Sequence, residues 1–523
     1  RCCASPMSSH LKDSCVLEVE RKFSVDGSFV VPELAVNGWS VVTGSTVELD
    51  ATYYDTTDLR LARAHITLRR RKGGKDAGWH LKLPAGAERE EIQHPLGRGT
   101  TVPRDLADLV FARTRGLPLA PVARILTTRA LTTVTESDGT PLVEIADDEV
   151  TGERLGDTLS VSHWREVEAE LLAPGHEKTL AAVAKRLRRA GASRSPSASK
   201  LAQTLGQPAT GTPAVALPAT LTAGDAVTAY LAGQVEALLA ADPRVRRELD
   251  DAVHAMRVAS RRLRSGLQAF APLLDSSPAD STPDATAPNT TDLSALETEL
   301  KWLAGVLGEA RDGEVLQARL RAQLDALPDE LVLGPVRARL LDEELGGGQL
   351  RAHSAVLAAL RSPRYLALLD SLDALAAAPP LTAAAAEPAA TVLPRLARKA
   401  WKRLDRQAAH AIGTGVDADF HETRKAAKRA RYTVEALEPV LGSRAARLAN
   451  TAKDVQTVLG DHQDSVLART MLRQLAINEA QAFSYGLLYA AELRRGEESS
   501  AQFVADWPRA ADRARRTLAK LGG

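Results

Sequence analysis

The sequence predicts an α+β multidomain protein, a β-barrel of about eight strands followed by an all-α domain of two repeated helical bundles. Three observations carry this. From 16 to 172, short runs of strand-forming residues alternate with Gly, Pro, Asn and Asp, the even spacing of a barrel or sandwich. Beyond about 219 the pattern changes to Ala/Leu/Arg/Glu segments with a 3.6-residue apolar period. Inside that helical part, a histidine-and-arginine pattern occurs twice in the same order. The expected division is a tail at 1–14, a first domain at 15–205, a Gly/Pro/Ala/Thr linker at 206–218 and a second domain at 219–523.

A chain of 523 residues is too long for one core. Hydrophobic content of 44% and charged content of 25% describe an ordinary folded protein, and the net charge of +1 gives no global argument for nucleic acid or membrane. Cys2, Cys3 and Cys15 all lie in the first fifteen residues, which leaves the body of the chain without a disulfide and fits a reducing cytoplasm. No apolar run approaches the roughly eighteen residues of a membrane helix, and no signal-peptide core is visible. Met7 is a candidate initiator.

In the first domain the expected strands are 16–23, 45–54, 64–72, 78–83, 88–94, 123–134, 141–146 and 162–171, with helices at 103–115 and 175–190. Side chains alternate along a strand, so Glu18, Glu20 and Lys22 share one face. Arg69 with Arg71, His80 with Lys82, and Glu166 with Glu168 and Glu170 do the same, and the opposite faces are mostly apolar. A barrel reconciles this by turning apolar faces outward against helices and lining a wet interior with charges of both signs. Carboxylates there suit hard divalent cations such as Mg²⁺ or Mn²⁺, and bases suit the phosphates such cations accompany.

The ordered series Glu18-x-Glu20-x-Lys22, Tyr53-Tyr54-Asp55-Thr56, Leu68-Arg69-x-Arg71, Lys82, Arg129, Glu144 with Asp147-Asp148, Glu168-x-Glu170 and Ser199-Lys200-Leu201 resembles the CYTH superfamily of triphosphate tunnel metalloenzymes. The resemblance implies an eight-stranded antiparallel β tunnel with flanking helices. Its phosphate contacts would be Lys22, Arg69, Arg71, Lys82, Arg129 and Lys200, and its metal ligands Glu18, Glu20, Glu168 and Glu170. Glu18, Glu20, Glu144 and Asp148 would serve catalysis through metal or water. One departure stands two positions before Arg129, where the family often has a base and this chain has Thr127; the nearest base, Arg124, has the opposite parity. Positioned cations supply most of what phosphoryl transfer needs, so no nucleophilic triad is required.

In the second domain, helices are expected at 225–240, 245–270, 293–326 and 444–476, with a mobile loop at 275–292 and an Ala/Pro connector at 377–390. His254, Arg257, Arg261, Arg262 and Arg264 return as His421, Arg424, Lys428, Arg429 and Arg431. Val306-Leu307-Gly308-Glu309 before Asp312 returns as Val458-Leu459-Gly460-Asp461 before Asp464. His254, Arg257, Arg261 and Arg264 fall within about 80° of arc, as do His421, Arg424, Lys428 and Arg431, so each helix presents one basic stripe. No acid interrupts 252–274 or 423–434, unlike a solvated helix with interleaved charges, so the stripes point to an anionic partner.

These residues resemble CHAD, the conserved histidine α-helical domain, over about 220–520. The resemblance implies inorganic polyphosphate bound along His254, Arg257, Arg261, Arg262, Arg264, His421, Arg424, Lys425, Lys428 and Arg431, extended by Lys301, Arg311, Lys399, Lys402 and Arg403. The histidines either donate to phosphate or pin the helix packing. The expectation is a divalent-metal-dependent triphosphatase of inorganic triphosphate joined to a polyphosphate-binding domain, cytoplasmic and a candidate for polyphosphate granules. Two alternatives stay open: a non-catalytic polyphosphate-binding protein, and a tunnel enzyme of thiamine triphosphate or ATP. Aromatics are 4% of the chain and do not interleave with the basic stripes, which disfavours nucleic acid.

Overall fold

The computed structural model describes residues 15–35, 38–86, 88–156, 160–172, 176–197, 199–206, 221–275, 292–477 and 482–521. The tail at 1–14, nearly all of the linker and of the loop expected at 275–292, and the side chains of residues 15–18 lie outside this description. The chain divides into two compact units, 1–216 and 217–523.

Unit 1 is a single antiparallel sheet of ten strands among the described residues: β1 (Cys15–Glu18), β2 (Glu20–Val25), β3 (Ser40–Asp55), β4 (Thr67–Lys72), β5 (Gly78–Ala85), β6 (Glu88–Pro95), β7 (Ala120–Thr135), β8 (Pro141–Arg154), β9 (Ser160–Leu171) and β10 (Ser193–Arg194). Their order is β1-β6-β5-β4-β3-β7-β8-β9-β2-β10. β1 pairs with β6 and β2 with β9, yet only Val19 separates β1 from β2. One run of chain, 15–25, therefore serves both flanks and brings the sheet back on itself. The eight expected strands become ten because the first is cut at Val19, whose carbonyl accepts from the Leu171 N–H (2.9 Å), and because β10 adds two residues. β8 runs on to Arg154, well past its expected end at 146.

Helices α1 (Arg60–Arg63), α2 (Arg104–Leu109), α3 (Phe111–Thr114), α4 (Glu177–Arg189) and α5 (Lys200–Thr204) flank the sheet. The helix expected at 103–115 divides into α2 and α3 at Val110, whose ψ of 5° leaves the helical region. α4 buries Leu180, Val183, Ala184 and Leu187, the i, i+3, i+4, i+7 face, against Phe23, Val143, Ile145, Val167 and Ala169. On the other flank, Leu106, Leu109 and Val110 cover Leu68, Trp79, Leu81 and Ile92. Each such side chain contributes about 1.5–3 kcal/mol by leaving water, so the apolar parity is held outward and the charged parity is turned in.

Among its described residues unit 2 is all-helical: α6 (Ala223–Arg246), α7 (Ala252–Ala269), α8 (Leu293–Ala326), α9 (Gly347–Leu360), α10 (Pro363–Ala377), α11 (Ala389–Thr414), α12 (Asp417–Glu435), α13 (Glu438–Leu441), α14 (Ser443–Leu475) and α15 (Ala482–Ala519), with a π-helical stretch over Ala338–Gly346. The helix expected at 245–270 begins only at Ala252, because Glu248 and Asp251 take left-handed φ angles of 55° and 56°. α7 and α12, the two basic helices, pack against each other. Their apolar faces, Met256, Ala259 and Leu263 on one and Phe420, Ala427 and Ala430 on the other, are buried.

Candidate functional site

The inward parity of unit 1 encloses a cavity of about 520 Å³. Its lining includes Lys22, Arg69, Arg71, Lys82, Arg129 and Lys200, all six expected phosphate contacts, together with Glu20, Glu144, Glu168 and Glu170. Strand register sorts the two signs. Glu20 on β2 stands opposite Glu170 on β9, and Glu170 stands opposite Glu144 on β8, so three carboxylates lie abreast on adjacent strands. Directly paired side chains of one face sit about 4.5–5.5 Å apart at Cβ, where like charges repel. Burial, with Glu20, Glu168 and Glu144 adding to it against the pull of Lys82, pushes the Glu170 carboxyl up. Such a row suits a hard divalent cation. Glu18 shares the strand parity of Glu20, but its side chain is outside the described residues.

The next level holds ion pairs. Lys22 Nζ lies 3.3 Å from Glu20 and 3.0 Å from Glu168. Burial opposes its charge, yet Glu168 and Glu20 hold the ammonium above the usual lysine range. Arg129 donates through two nitrogens to Asp148 (2.8 and 2.7 Å) and to Glu168 (2.9 Å). Lys200 reaches Asp148, Glu166 and Glu168 at 2.9, 2.6 and 2.9 Å. It is aimed there by α5, whose N-cap Ser199 Oγ accepts from the Ala202 N–H and whose Leu201 packs against the sheet.

Asp148, expected to serve catalysis, sits behind the cavity wall. It is fully buried and serves as counter-ion to Arg129 and Lys200, and is absent from the cavity lining. Carboxylate oxygens of Asp148, Glu166 and Glu168 come within 4.8 Å of one another, a spacing that fits a metal ion, but the Lys200 ammonium already lies among them. Among these acids, Glu20, Glu144 and Glu170 are the ones left facing the cavity as a row.

On the opposite wall, Arg69 and Arg71 of β4 and Lys82 of β5 face the cavity with Glu91 of β6. Burial and the like charges of Arg69 and Arg129 push Arg71 down. His80, which shares its face, is buried; its Nδ1 lies 2.5 Å from Glu91 and its Nε2 2.8 Å from the Asp76 carbonyl. Burial lowers its pKa to about 4. Glu91, 3.9 Å from Arg69 and 3.8 Å from Lys82, is a site residue the sequence reading passed over. The charges of Glu90 and Glu91 share a strand, and only the pairing of β5 with β6 says which points inward. Thr127 lines the cavity, and Arg124 does not compensate for it, being held by Asp50 at 2.9–3.0 Å.

In unit 2, His254, Arg257 and Arg261 of α7 and Arg424 and Arg431 of α12 line one cavity of about 770 Å³, joined by Arg311, Arg319 and Lys453. The two stripes thus meet in one place. Lys428 lies beside Arg261, Arg424 and Arg257, and burial together with those charges pushes its ammonium down to about 6. His254 and His421 are lowered by burial and then by Arg311 and Lys425 respectively. Five expected contacts, Arg262, Arg264, His421, Lys425 and Lys428, are not among the lining residues. Arg262 pairs with Glu435 (3.1 Å), which also holds Arg431 (2.7 Å) and so ties the two halves together. Lys425 pairs with Glu422 on the helix surface. Arg319, missed in the sequence, is fixed by the buried Glu492 through two bonds of 2.7 and 2.5 Å.

Among the described residues no helix is long and apolar enough to cross a membrane. The family model of the CYTH domain matches residues 17–205 and that of the CHAD domain residues 229–473. Two uncharacterized proteins of Mycobacterium tuberculosis, Rv2226 and MT2285, are each 40% identical over 94% of this chain and 95% of their own. Among solved structures, PptA from Streptomyces chartreusis is similar over 55% of this chain and 99% of its own, at 29% identity and a TM-score of 0.45. With both domains matched in order around the two cavities, and relatives alike along nearly their whole length, the chain belongs to the CYTH–CHAD proteins.

Proposed function

We propose that unit 1 hydrolyses inorganic triphosphate inside its tunnel with Mg²⁺ or Mn²⁺, and that unit 2 binds inorganic polyphosphate in its basic cavity. The observation that carries the reading is the division of the tunnel interior into a row of carboxylates, Glu20, Glu144 and Glu170, facing a wall of bases, Arg69, Arg71 and Lys82. Three carboxylates abreast on one wall repel a bound triphosphate and add nothing to its affinity, which favours catalysis over a purely binding protein. A divalent cation, when bound by Glu20, Glu144 and Glu170, supplies charge neutralisation and a more acidic water. Arg69, Arg71, Lys82 and Lys22 hold the phosphate chain and offset the charge that moves onto the leaving oxygen. Tyr53 is the one aromatic among the described lining residues, so a stacking surface for thiamine or adenine finds no support there.

The test is phosphate release by the full chain from inorganic triphosphate, ATP, thiamine triphosphate and long-chain polyphosphate, with Mg²⁺, Mn²⁺ or EDTA. Metal-dependent release confined to triphosphate is expected. Turnover of none of them, with polyphosphate still bound, would leave a binding protein instead.

Lys428 supplies a second check, on unit 2. Burial and the neighbouring arginines push its ammonium down to about 6, and phosphate oxygens beside it would raise that toward the ordinary lysine value of about 10.4. Between those values binding takes up a proton, so polyphosphate affinity falls as pH rises through 7 to 9. Calorimetry at pH 7.5 in buffers of different ionisation enthalpy is expected to read uptake of up to one proton per site. Zero uptake would remove Lys428 from the binding surface.

A further inference from the structure

The cavity of unit 2 contains carboxylates as well as bases, and they recur with the repeat. Asp312 on α8 accepts from two nitrogens of Arg257, at 2.8 and 3.3 Å, and Asp464 holds the equivalent place on α14, lining the same cavity as Arg424 and favouring its charge without a direct bond. Both guanidinium groups lie against a glycine. A Cβ on Gly308 would sit 3.5 Å from an Arg257 nitrogen, and one on Gly460 would sit 3.5 Å from an Arg424 nitrogen. Each arginine thus rests on the helix that carries its own carboxylate. One turn further along α7 and α12, Arg261 and Lys428 hold matching positions. Among the described residues, the ion pairs around this cavity fall on Arg257, Arg311, Arg319 and Arg431 and not on Arg261 or Lys428. Burial and the surrounding arginines push both of the latter down. The cavity lining therefore holds Arg261 without an ion pair among the described residues, with Lys428 beside it, and two arginines that each have an acid at hand, Arg257 bonded to Asp312 and Arg424 sharing the lining with Asp464.

We propose that Asp312 and Asp464 are built-in counter-ions that make this cavity select a chain of phosphates over a single phosphate, an inference that rests on the polyphosphate reading of unit 2. A lone phosphate is attracted to Arg261 and Lys428. To engage Arg257 as well, it must displace the bonded Asp312 carboxylate, and to engage Arg424 it must meet the negative charge of Asp464, and it arrives only at its bulk concentration. A chain anchored at Arg261 and Lys428 presents its next phosphates at a high effective concentration, so it competes with these carboxylates on equal terms. Discrimination then comes from a repulsive element raised against the smaller anion rather than from extra contacts to the larger one.

The experiment measures binding of orthophosphate and of long-chain polyphosphate to the full chain in EDTA, for the wild type, for Asp312→Asn/Asp464→Asn and for the charge-preserving Asp312→Glu/Asp464→Glu. The Asn variant is expected to bind orthophosphate at least about tenfold tighter, with polyphosphate affinity changing less than about threefold, so that the ratio collapses. The Glu variant is expected to keep the wild-type ratio, and thermal unfolding to report that all three are folded. An unchanged ratio in the Asn variant, or affinities that fall together, would overturn the counter-ion role while leaving polyphosphate binding in place. A wild type that binds no long-chain polyphosphate would overturn the reading of unit 2 and this inference with it.

Discussion

Replacing Glu20 and Glu170 with glutamine is expected to lower metal-dependent phosphate release from triphosphate by at least 10²–10³-fold, the equivalent of about 3–4 kcal/mol of transition-state stabilisation. The same change is expected to leave the fold intact or slightly firmer in EDTA. Glu20, Glu170 and Glu144 stand side by side on β2, β9 and β8, and burial with neighbouring carboxylates already pushes Glu170 up, so the row is under electrostatic strain. Glutamine keeps the shape and removes the repulsion, but it is a poor ligand for a hard cation. Steady-state phosphate release and thermal unfolding on the same samples separate the two effects. Retained turnover would remove the row from the chemistry, and a large fall in unfolding temperature would make it structural.

Lys200→Met is expected to act in the opposite direction, on stability first. Asp148 is fully buried, Glu166 and Glu168 nearly so, and Lys200 Nζ lies within 2.9 Å of all three. Removing one partner from a buried ionic cluster costs about 3–5 kcal/mol, because the remaining charges are left without compensation. Arg129 keeps its bonds to Asp148 and Glu168, so the larger loss falls on Glu166. The cost carries a pH signature. Burial opposes the charge on Glu168, but Lys200, Lys22 and Arg129 hold its carboxyl well below the usual range. Its contribution is therefore present above the unfolded carboxylate pKa of about 4.3 and is lost as pH falls through the folded value. Denaturant unfolding followed from pH 7 down to about 2 is expected to show a gap between wild type and variant that is steady above about 4.3 and narrows below it. A gap independent of pH would mean that lost packing, not charge, explains the effect.

Much of this arrangement was legible in the sequence because strand parity is a strict period of two. Once Lys22, Arg69, Arg71, Lys82 and Arg129 were assigned to strands, their common orientation followed, and the cavity lining bears that out. The second domain's repeat was legible for a similar reason, since equivalent spacings bring equivalent residues to one helix face. What strand parity left open was pairing across the sheet. Asp148 has the right parity, yet it is closed off by Arg129 and by Lys200, which reaches it from more than fifty residues away. β8 continues past its expected end at 146, and the charges it carries there are absorbed, Asp147 by Arg165 and Asp148 by Arg129. Arg262 likewise stands among the bases of its helix in sequence but pairs with Glu435 in space.

The run 15–25, which pairs with β6 through its first half and β9 through its second, sets an order on how the protein is made. Its second half finds its partner only at residues 165–170, about 145 residues further on. At a synthesis rate of about 5–20 residues per second, Arg21 waits roughly 10–30 s for Ala169 to leave the ribosome. Through that interval β3 to β8 can pair with their neighbours in turn, while the edge of β8 and the charged inner face stay open to water and to other chains. Closing the ring over so long a separation is entropically costly before any contact rewards it. The tunnel is thus expected to be the slow, chaperone-dependent part of the chain, with the helices of unit 2 forming quickly from local contacts once they emerge.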